Sequence, residues 1–240
     1  LKSMTLGVVG ACALIAAPAA AQSTQRSQLH DFNVETISGD LDHPWGLAFL
    51  PGGDALVTER PGRLVRINTR SGARRVIAGA PTVAAIGQGG LLDVALSPDF
   101  ADDVWVYLSF AAPAAGGAET HVGRGRLSGD QLEAFETIYR MDAPSRGGRH
   151  FGSRLVFDED GFLFVSIGDR GQRHRAQDFG DPAGALLRLT PDGAPAPGNP
   201  FTGRAGARPE LYAIGHRNTQ GMALHPETGR IWSIQHGPRG

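Results

Sequence analysis

The amino-acid sequence predicts an all-β fold in which a repeated unit of short strands forms a β-propeller. Three observations support this prediction. The chain has 34 Gly and 16 Pro among its 240 residues, which interrupt it too often for long helices. Apolar and polar residues alternate in short runs between tight turns, as they do in antiparallel hairpins. A related segment also recurs along the chain, and a recurring unit of this length is typical of propeller blades.

Each copy of the repeat is a short apolar stretch that closes on Pro or Asp, then a turn and a second β-rich stretch. The first stretches are at 45–51, 91–98, 152–158 and 220–226. The second stretches are at 55–58, 104–110, 162–167 and 230–234, and runs at 64–67 and 186–189 supply further strands. A spacing of roughly 45 to 70 residues suits one four-stranded blade per repeat. The alternative is a β-sandwich, which does not require such a repeat.

The segments between these strands are predicted to be loops or, in one case, a short helix. Long loops are expected at 111–120, 170–182 and 194–208, and the only plausible helix is at 131–136. Because a rigid ring of blades holds its connections at one end of a central channel, we expect ligands to bind there.

Residues 1–21 have the features of a secretory signal peptide. Lys2 is followed by an apolar run that ends in small residues, and the expected cleavage site lies between Ala21 and Gln22. The predicted mature domain is therefore 22–240, in the periplasm or secreted, with no membrane span after signal removal. The alternatives are a membrane anchor or a lipoprotein site at Cys12.

The mature region excludes several kinds of chemistry. It contains neither cysteine nor lysine, because Cys12 and Lys2 both lie in the predicted signal. Thiolate nucleophiles, zinc–thiolate sites and Schiff-base catalysis are therefore excluded. With Lys2 removed, 22 Arg face 24 Asp plus Glu, so we expect no nucleic-acid partner.

Polar clusters occur at matching places in successive repeats. They are Gln88, Arg149 with His150, residues 216–218 and residues 236–238. Equivalent positions of successive blades surround one axis, so these residues are expected to converge on one pocket. The common hydrolase, phosphate-binding, dinucleotide and H-E-x-x-H zinc motifs do not occur.

The segment Gly-His-Arg-Asn-Thr-Gln-Gly at 215–221 resembles the signature of the soluble quinoprotein glucose/sorbosone dehydrogenases. The resemblance covers nearly all of the mature chain. Supporting motifs lie at 44–47, 58–60, 88–92, 97–100, 150–155, 168–169, 191–193, 199–201 and 236–238. The family implies a six-bladed β-propeller, of which about four blades are expected here as an N-terminal fragment. It also implies pyrroloquinoline quinone (PQQ) and Ca²⁺ as cofactors.

The resemblance implies roles for four polar side chains. His150 would be the general base that takes a proton from a sugar hydroxyl. Arg217 would lie beside the quinone oxygens and stabilise negative charge there. Asn218 would offer hydrogen bonds to the cofactor, and Gln88 would line the pocket near the substrate and the base. Each also has an ordinary alternative: a surface histidine, a paired arginine or a turn-capping amide.

Gly237 and Pro238 are implied as calcium ligands through their backbone carbonyl oxygens, although a Gly-Pro pair alone simply indicates a turn. Two positions depart from the family pattern. Arg149 stands where an acidic residue commonly precedes and orients the histidine, which leaves the orienting partner of His150 open. Ala185 stands where many relatives carry lysine.

The resemblance therefore implies an oxidoreductase that oxidises the CH–OH group of an aldose-type sugar by hydride transfer to PQQ. The alternative is a non-catalytic propeller that binds carbohydrate or a protein, and a metal-dependent lactonase is a third possibility. The sequence leaves open the sugar, the electron acceptor and whether the protein is a monomer or a homodimer.

Overall fold

The computed structural model describes residues 23–237. The chain divides into two compact units, Leu1–Ile37 and Ser38–Gly240. In the first unit, β1 (Ser23–Gln25) pairs antiparallel with β2 (Phe32–Val34). The predicted signal segment 1–21 lies outside the described residues. Within 23–237, no helix is long and apolar enough to cross a membrane.

The second unit consists of four antiparallel sheets whose strands follow chain order. The first sheet contains β3 (Pro44–Phe49), β4 (Ala55–Glu59), β5 (Arg63–Ile67) and β6 (Arg74–Ile77). The second contains β7 (Leu91–Leu96), β8 (Trp105–Ala114), β9 (Gly117–Ser128) and β10 (Gln131–Arg140). The third contains β11 (Gly152–Phe157), β12 (Leu163–Ile167), β13 (Ala185–Leu189) and β14 (Leu211–Ile214). The fourth contains β15 (Thr219–Leu224) and β16 (Ile231–Gln235).

The sheets are arranged as the blades of a β-propeller. The first strand of each sheet contacts the first strand of the next, from β3 to β7, β11 and β15 in turn. These are the first stretches of the four predicted repeats, and the second stretches form β4, β8, β12 and β16. The prediction of a propeller is therefore confirmed, although the described sheets do not close into a ring.

The predicted loop at 111–120 is wrong. It is a continuous hairpin, in which β8 and β9 pair from Trp105 opposite Arg126 to Ala114 opposite Gly117. The turn between them is short, and Gly116 has a positive φ of 91°. Alanine has a low intrinsic strand propensity. Here, burial of the alanines between neighbouring sheets overrides that preference.

The predicted helix at 131–136 is also wrong, because this segment begins β10. Leu132 pairs with Leu127 of β9 and is buried. The helix-forming Gln, Leu, Glu and Ala residues are overridden by pairing with a long neighbouring strand. The described helical segments are α1 (Phe100–Asp103) and one 3₁₀ turn, Arg175–Gln177. The latter lies in the predicted loop 170–182, which is confirmed, as is the loop 194–208.

The hydrophobic core lies between neighbouring sheets. One cluster joins the first two sheets, with Leu56 and Leu64 packed among residues such as Leu108. A second cluster joins the second and third sheets, with Leu163 and Leu187 fully buried. Truncating such a leucine to alanine typically costs about 2–5 kcal/mol, so these contacts fix how the blades stack.

The first strand of every sheet is bulged near its start. The register with the second strand shifts between Pro44 and Leu47, Leu91 and Val94, Gly152 and Leu155, and Thr219 and Gly221. A bulge re-aims side chains and leaves backbone groups unpaired. Because the four bulged strands lie side by side, the bulges meet at one end of the sheets.

Buried hydroxyl groups on the second strands pair with backbone groups of the bulges. These bridging hydroxyls belong to Thr58, Ser109 and Ser166, which are fully buried. Each accepts a hydrogen bond from a bulge N–H of its own sheet, at 2.8–2.9 Å, from Gly46, Asp93 and Arg154. Each donates to a carbonyl oxygen of the next sheet, on Leu92, Ser153 and Thr219. A bridging hydroxyl of this kind therefore connects each of the first three sheets to the next one.

Candidate active site

The predicted site residues lie immediately before the bulged first strands. Gln88 precedes β7, His150 precedes β11 and Asn218 precedes β15. Since these strands are neighbours, the three residues come together at one end of the sheets. Gln88 and His150 are 62 residues apart in the sequence, yet a direct hydrogen bond joins them.

His150 is oriented by Asp169. The Nδ1 atom of His150 lies 2.6 Å from Oδ1 of Asp169, and the two side chains are only 15% and 4% exposed. A carboxylate accepts hydrogen bonds, so Nδ1 of His150 carries a proton, and Nε2 makes no hydrogen bond to any described residue. The backbone of His150 is left-handed, with φ 55°. Its N–H donates to Oε1 of Gln88 at 2.7 Å.

Asp169 is itself held by the backbone around it. Its N–H donates to the carbonyl of Arg217 at 2.8 Å, and its Oδ1 also accepts from the N–H of Gly171 at 2.7 Å. Gly168 allows this approach, because a Cβ there would collide with the carbonyl oxygen of His150. Asp169 therefore takes the orienting role that the sequence left open at Arg149. The motif at 168–169 contained this signal, but sequence reasoning gave it no role.

Gln88 and Asn218 share a cavity of about 370 Å³. We call it the axial cavity; besides these two it is lined by Trp45, Gln220 and His236, among others. Gln88 and Asn218 therefore meet as predicted from the repeat positions.

Both amides already accept hydrogen bonds through their oxygen atoms. Oε1 of Gln88 accepts from the N–H of His150, and buried Asn218 accepts through Oδ1 from the N–H of Gly152 at 3.0 Å. Oδ1 of Asn218 also accepts from Gln220. No described residue accepts a hydrogen bond from the NH₂ group of Gln88 or Asn218. The axial cavity therefore presents hydrogen-bond donors.

The structure does not place Arg217 on the axial cavity. Its exposed side chain borders a second cavity of about 510 Å³, which Asp169 and His216 also line. Burial lowers the pKa of His216, so its imidazole stays neutral near pH 7. Of the predicted calcium ligands, Gly237 directly follows His236 of the axial cavity, and Pro238 lies outside the described residues.

A buried ion pair lies among the bulges. The Nη1 atom of Arg154 lies 3.0 Å from Oδ1 of Asp93, whose side chain is 4% exposed. Burial raises the pKa of the Asp93 carboxyl, against the opposing effects of Arg154 and of two backbone N–H groups. A Cβ on Gly46 would come within 2.7 Å of that carboxylate, so glycine is needed there. Sequence reasoning did not find this pair, since an Asp and an Arg 61 residues apart carry no local signal.

A second buried cation follows Asp169 in the chain. Arg170 is 2% exposed, stacks over the ring of Phe151 at 3.8 Å and donates to the carbonyl of Ala118 at 3.0 Å. Burial, together with the nearby charge of Arg175, lowers the pKa of Arg170 to about 9. It packs Phe151, the residue after His150, against the second sheet.

Fold and site together define a β-propeller with a donor-rich cavity among its first strands and an acid-oriented histidine beside it. The family model described as Glucose / Sorbosone dehydrogenase matches residues 41–240. The chain belongs to this family.

Named relatives include aldose sugar dehydrogenase YliI of Escherichia coli (strain K12), which is 45% identical over 212 residues, 87% of this chain and 57% of that protein. Quinoprotein glucose dehydrogenase B of Acinetobacter calcoaceticus is 28% identical over 243 residues, 89% of this chain and 50% of that protein. The chain therefore spans between 50% and 57% of the length of these two relatives.

Solved structures have the same fold. A crystal structure of glucose dehydrogenase is 50% identical with a TM-score of 0.83, over 86% of this chain and 61% of the other. The PQQ-bound form of aldose sugar dehydrogenase from Streptomyces coelicolor is 37% identical with a TM-score of 0.75, over 92% of this chain and 62% of the other.

Proposed function

We propose that the full-length protein is a PQQ- and calcium-dependent oxidoreductase that oxidises the CH–OH group of an aldose-type sugar. The observation that carries this proposal is the hydrogen-bonded pair of His150 and Asp169. His150 does not itself line the axial cavity, but Phe151, the next residue, and Gln88, its hydrogen-bond partner, do. The relatives named as sugar dehydrogenases support the substrate class.

The donor set of the axial cavity suits PQQ. The quinone carries carbonyl and carboxylate oxygens, which accept hydrogen bonds. Gln88 and Asn218 can offer NH₂ groups there, because their oxygen atoms already accept hydrogen bonds from the protein. Gln88 and Asn218 are the residues proposed to hold the cofactor in the axial cavity, and the exposed side chain of Arg217 is proposed to turn toward it from the second cavity. A cavity of about 370 Å³ lies in the usual size range of small-molecule sites.

When bound, PQQ would supply a two-electron acceptor for the hydride of the sugar. His150 would take the proton of the sugar hydroxyl on Nε2, as a general base. Asp169 keeps the other proton on Nδ1 and stabilises the imidazolium that forms, since its carboxylate lies 2.6 Å away. Arg217, a permanent cation, would stabilise negative charge on the acceptor side.

Calcium is proposed to bind the carbonyl oxygens of Gly237 and Pro238. Main-chain carbonyls are hard oxygen ligands of the kind that Ca²⁺ requires, and two of them leave positions for other oxygens. Gly237 follows His236, which lines the axial cavity, so a cation there would adjoin the proposed cofactor site.

We also propose that the mature protein works in the periplasm or as a secreted protein. The support is the charged, apolar and small-residue pattern of residues 1–21 and the absence of cysteine from 22–240. Mass spectrometry of the exported protein would test the cleavage site, and an N-terminus at Gln22 is expected.

The central test is dye reduction by the full-length protein reconstituted with PQQ and Ca²⁺, assayed across a panel of aldoses. We expect His150→Ala to abolish sugar-dependent reduction while PQQ still binds. The matched control is His30→Ala, an exposed histidine of the first unit, which should leave turnover unchanged. The proposed sugar-dehydrogenase activity would be refuted if wild-type protein bound PQQ but reduced no dye with any sugar. No PQQ binding at all would favour a carbohydrate- or protein-binding propeller.

A further inference from the structure

One guanidinium group connects the bulges of all four sheets. Arg154 lies in the bulge of β11, and its Nη1 contacts Asp93 in the bulge of β7. Its Nε and Nη2 both donate to the carbonyl oxygen of Gln220 in the bulge of β15, at 3.1 and 3.0 Å. Its Cζ atom lies over the ring of Trp45, in the bulge of β3, at 4.3 Å from the centroid.

These contacts lead directly to the axial cavity. Trp45 and Gln220 line that cavity. The side chain of Gln220 in turn donates to Oδ1 of Asn218 at 3.1 Å, which fixes the direction of the free NH₂ group of Asn218. Arg154 itself does not line the cavity, so it acts on a ligand only through these neighbours.

We propose that Arg154 is a positioning residue that fixes the shape of the axial cavity by holding Trp45 and Gln220. Its effect on PQQ binding rests on the proposed function, whereas its effect on Trp45 does not. The role requires arginine, because only a planar guanidinium can stack on a ring, pair with a carboxylate and donate twice to one carbonyl at once. Lysine can keep the ion pair with Asp93, but its single ammonium group cannot at the same time lie over Trp45 and donate twice to Gln220.

The chain offers a matched control in the third sheet. Arg188 pairs with Asp158 at 3.2 Å, lies over the ring of Phe162 at 4.0 Å and donates to the carbonyl of Pro197 at 3.1 Å. It therefore makes the same kinds of contact as Arg154. None of these residues lines the axial cavity.

The first experiment measures acrylamide quenching of Trp45 fluorescence in the full-length apoprotein, with Trp45→Phe identifying its signal. Arg154→Met and Arg154→Lys should both increase quenching of Trp45, because its ring loses the stacked guanidinium. Arg188→Met should not change it. Equal quenching of Trp45 in the wild type and in Arg154→Lys would overturn the proposal.

The second experiment separates the effect of Arg154 on the position of Trp45 from its effect on the stability of the protein. Arg154→Met leaves the Asp93 carboxylate buried without its partner, so the variant is expected to be less stable. Adding Asp93→Asn removes that charge and should restore much of the midpoint of thermal unfolding. The double variant should still show increased quenching of Trp45. If restored stability also restored wild-type quenching, Arg154 would be merely structural and the proposal would fail.

The third experiment titrates PQQ into each apoprotein and follows ligand absorption. The dissociation constant should rise about tenfold in Arg154→Lys, a change equivalent to losing one or two hydrogen bonds, and stay near wild type in Arg188→Met. An unchanged constant in Arg154→Lys would contradict the proposal. If the wild type binds no PQQ, the proposed function fails, while quenching of Trp45 still decides the role of Arg154.

Discussion

The bridging hydroxyl of Ser109 allows a quantitative test of how the blades are joined. It accepts from the N–H of Asp93 at 2.9 Å and donates to the carbonyl of Ser153 at 2.6 Å, and all three residues are buried. Ser109→Ala removes one oxygen atom, and the void is too small for a water molecule. Two buried backbone groups then lack partners, and each costs about 1–3 kcal/mol. We expect the free energy of unfolding to fall by about 2–6 kcal/mol.

Urea denaturation of the full-length protein measures this loss, and the m-value should be unchanged. The control is Ser128→Ala, at the exposed end of β9, where a change of at most about 0.5 kcal/mol is expected. A loss for Ser109→Ala no larger than for Ser128→Ala would refute the reasoning. The amide proton of Asp93 should also exchange faster in Ser109→Ala, since that N–H loses its acceptor.

Two further predictions concern the histidine pair. Asp169→Asn removes the charge that stabilises the imidazolium of His150, and kcat for dye reduction should fall about 10- to 10²-fold. Unchanged kcat in a folded variant would contradict the orienting role. Gly168→Ala places a Cβ against the carbonyl of His150 and 3.0 Å from Oδ1 of Asn218. It should destabilise the protein by about 1–3 kcal/mol in urea denaturation. Gly52→Ala, with nothing within 4 Å, is its control and should cost much less.

The fold could be predicted from the sequence where a signal was repeated. The first strands of all four sheets were found because their apolar stretches recur with a shared ending. The hairpin around Gly116 and the strand β10 were missed for a physical reason: local propensity opposes them. Alanines and helix-forming residues become strands there because β8, β9 and β10 are long and pair with one another, which no local pattern records.

The site was predictable only in part. Gln88 and Asn218 were placed together because equivalent positions of adjacent blades converge, and the structure brings both to one cavity. The backbone of Arg217 also lies at an equivalent position before a first strand, but its side chain borders the second cavity instead. Asp169 and Arg154 depend on contacts across sheets, and such contacts follow from the tertiary structure rather than from spacing in the chain.

The left-handed backbone of His150 has a consequence for folding. That conformation costs about 1–2 kcal/mol for a residue with a side chain. The compensating contact comes from another blade, since the N–H of His150 is held by Gln88, whose own N–H is bound to the carbonyl of Gly148 at 2.8 Å. The third blade alone therefore lacks the contact that holds its histidine in this geometry. During folding, the proposed base would acquire its working conformation only after the second blade has docked.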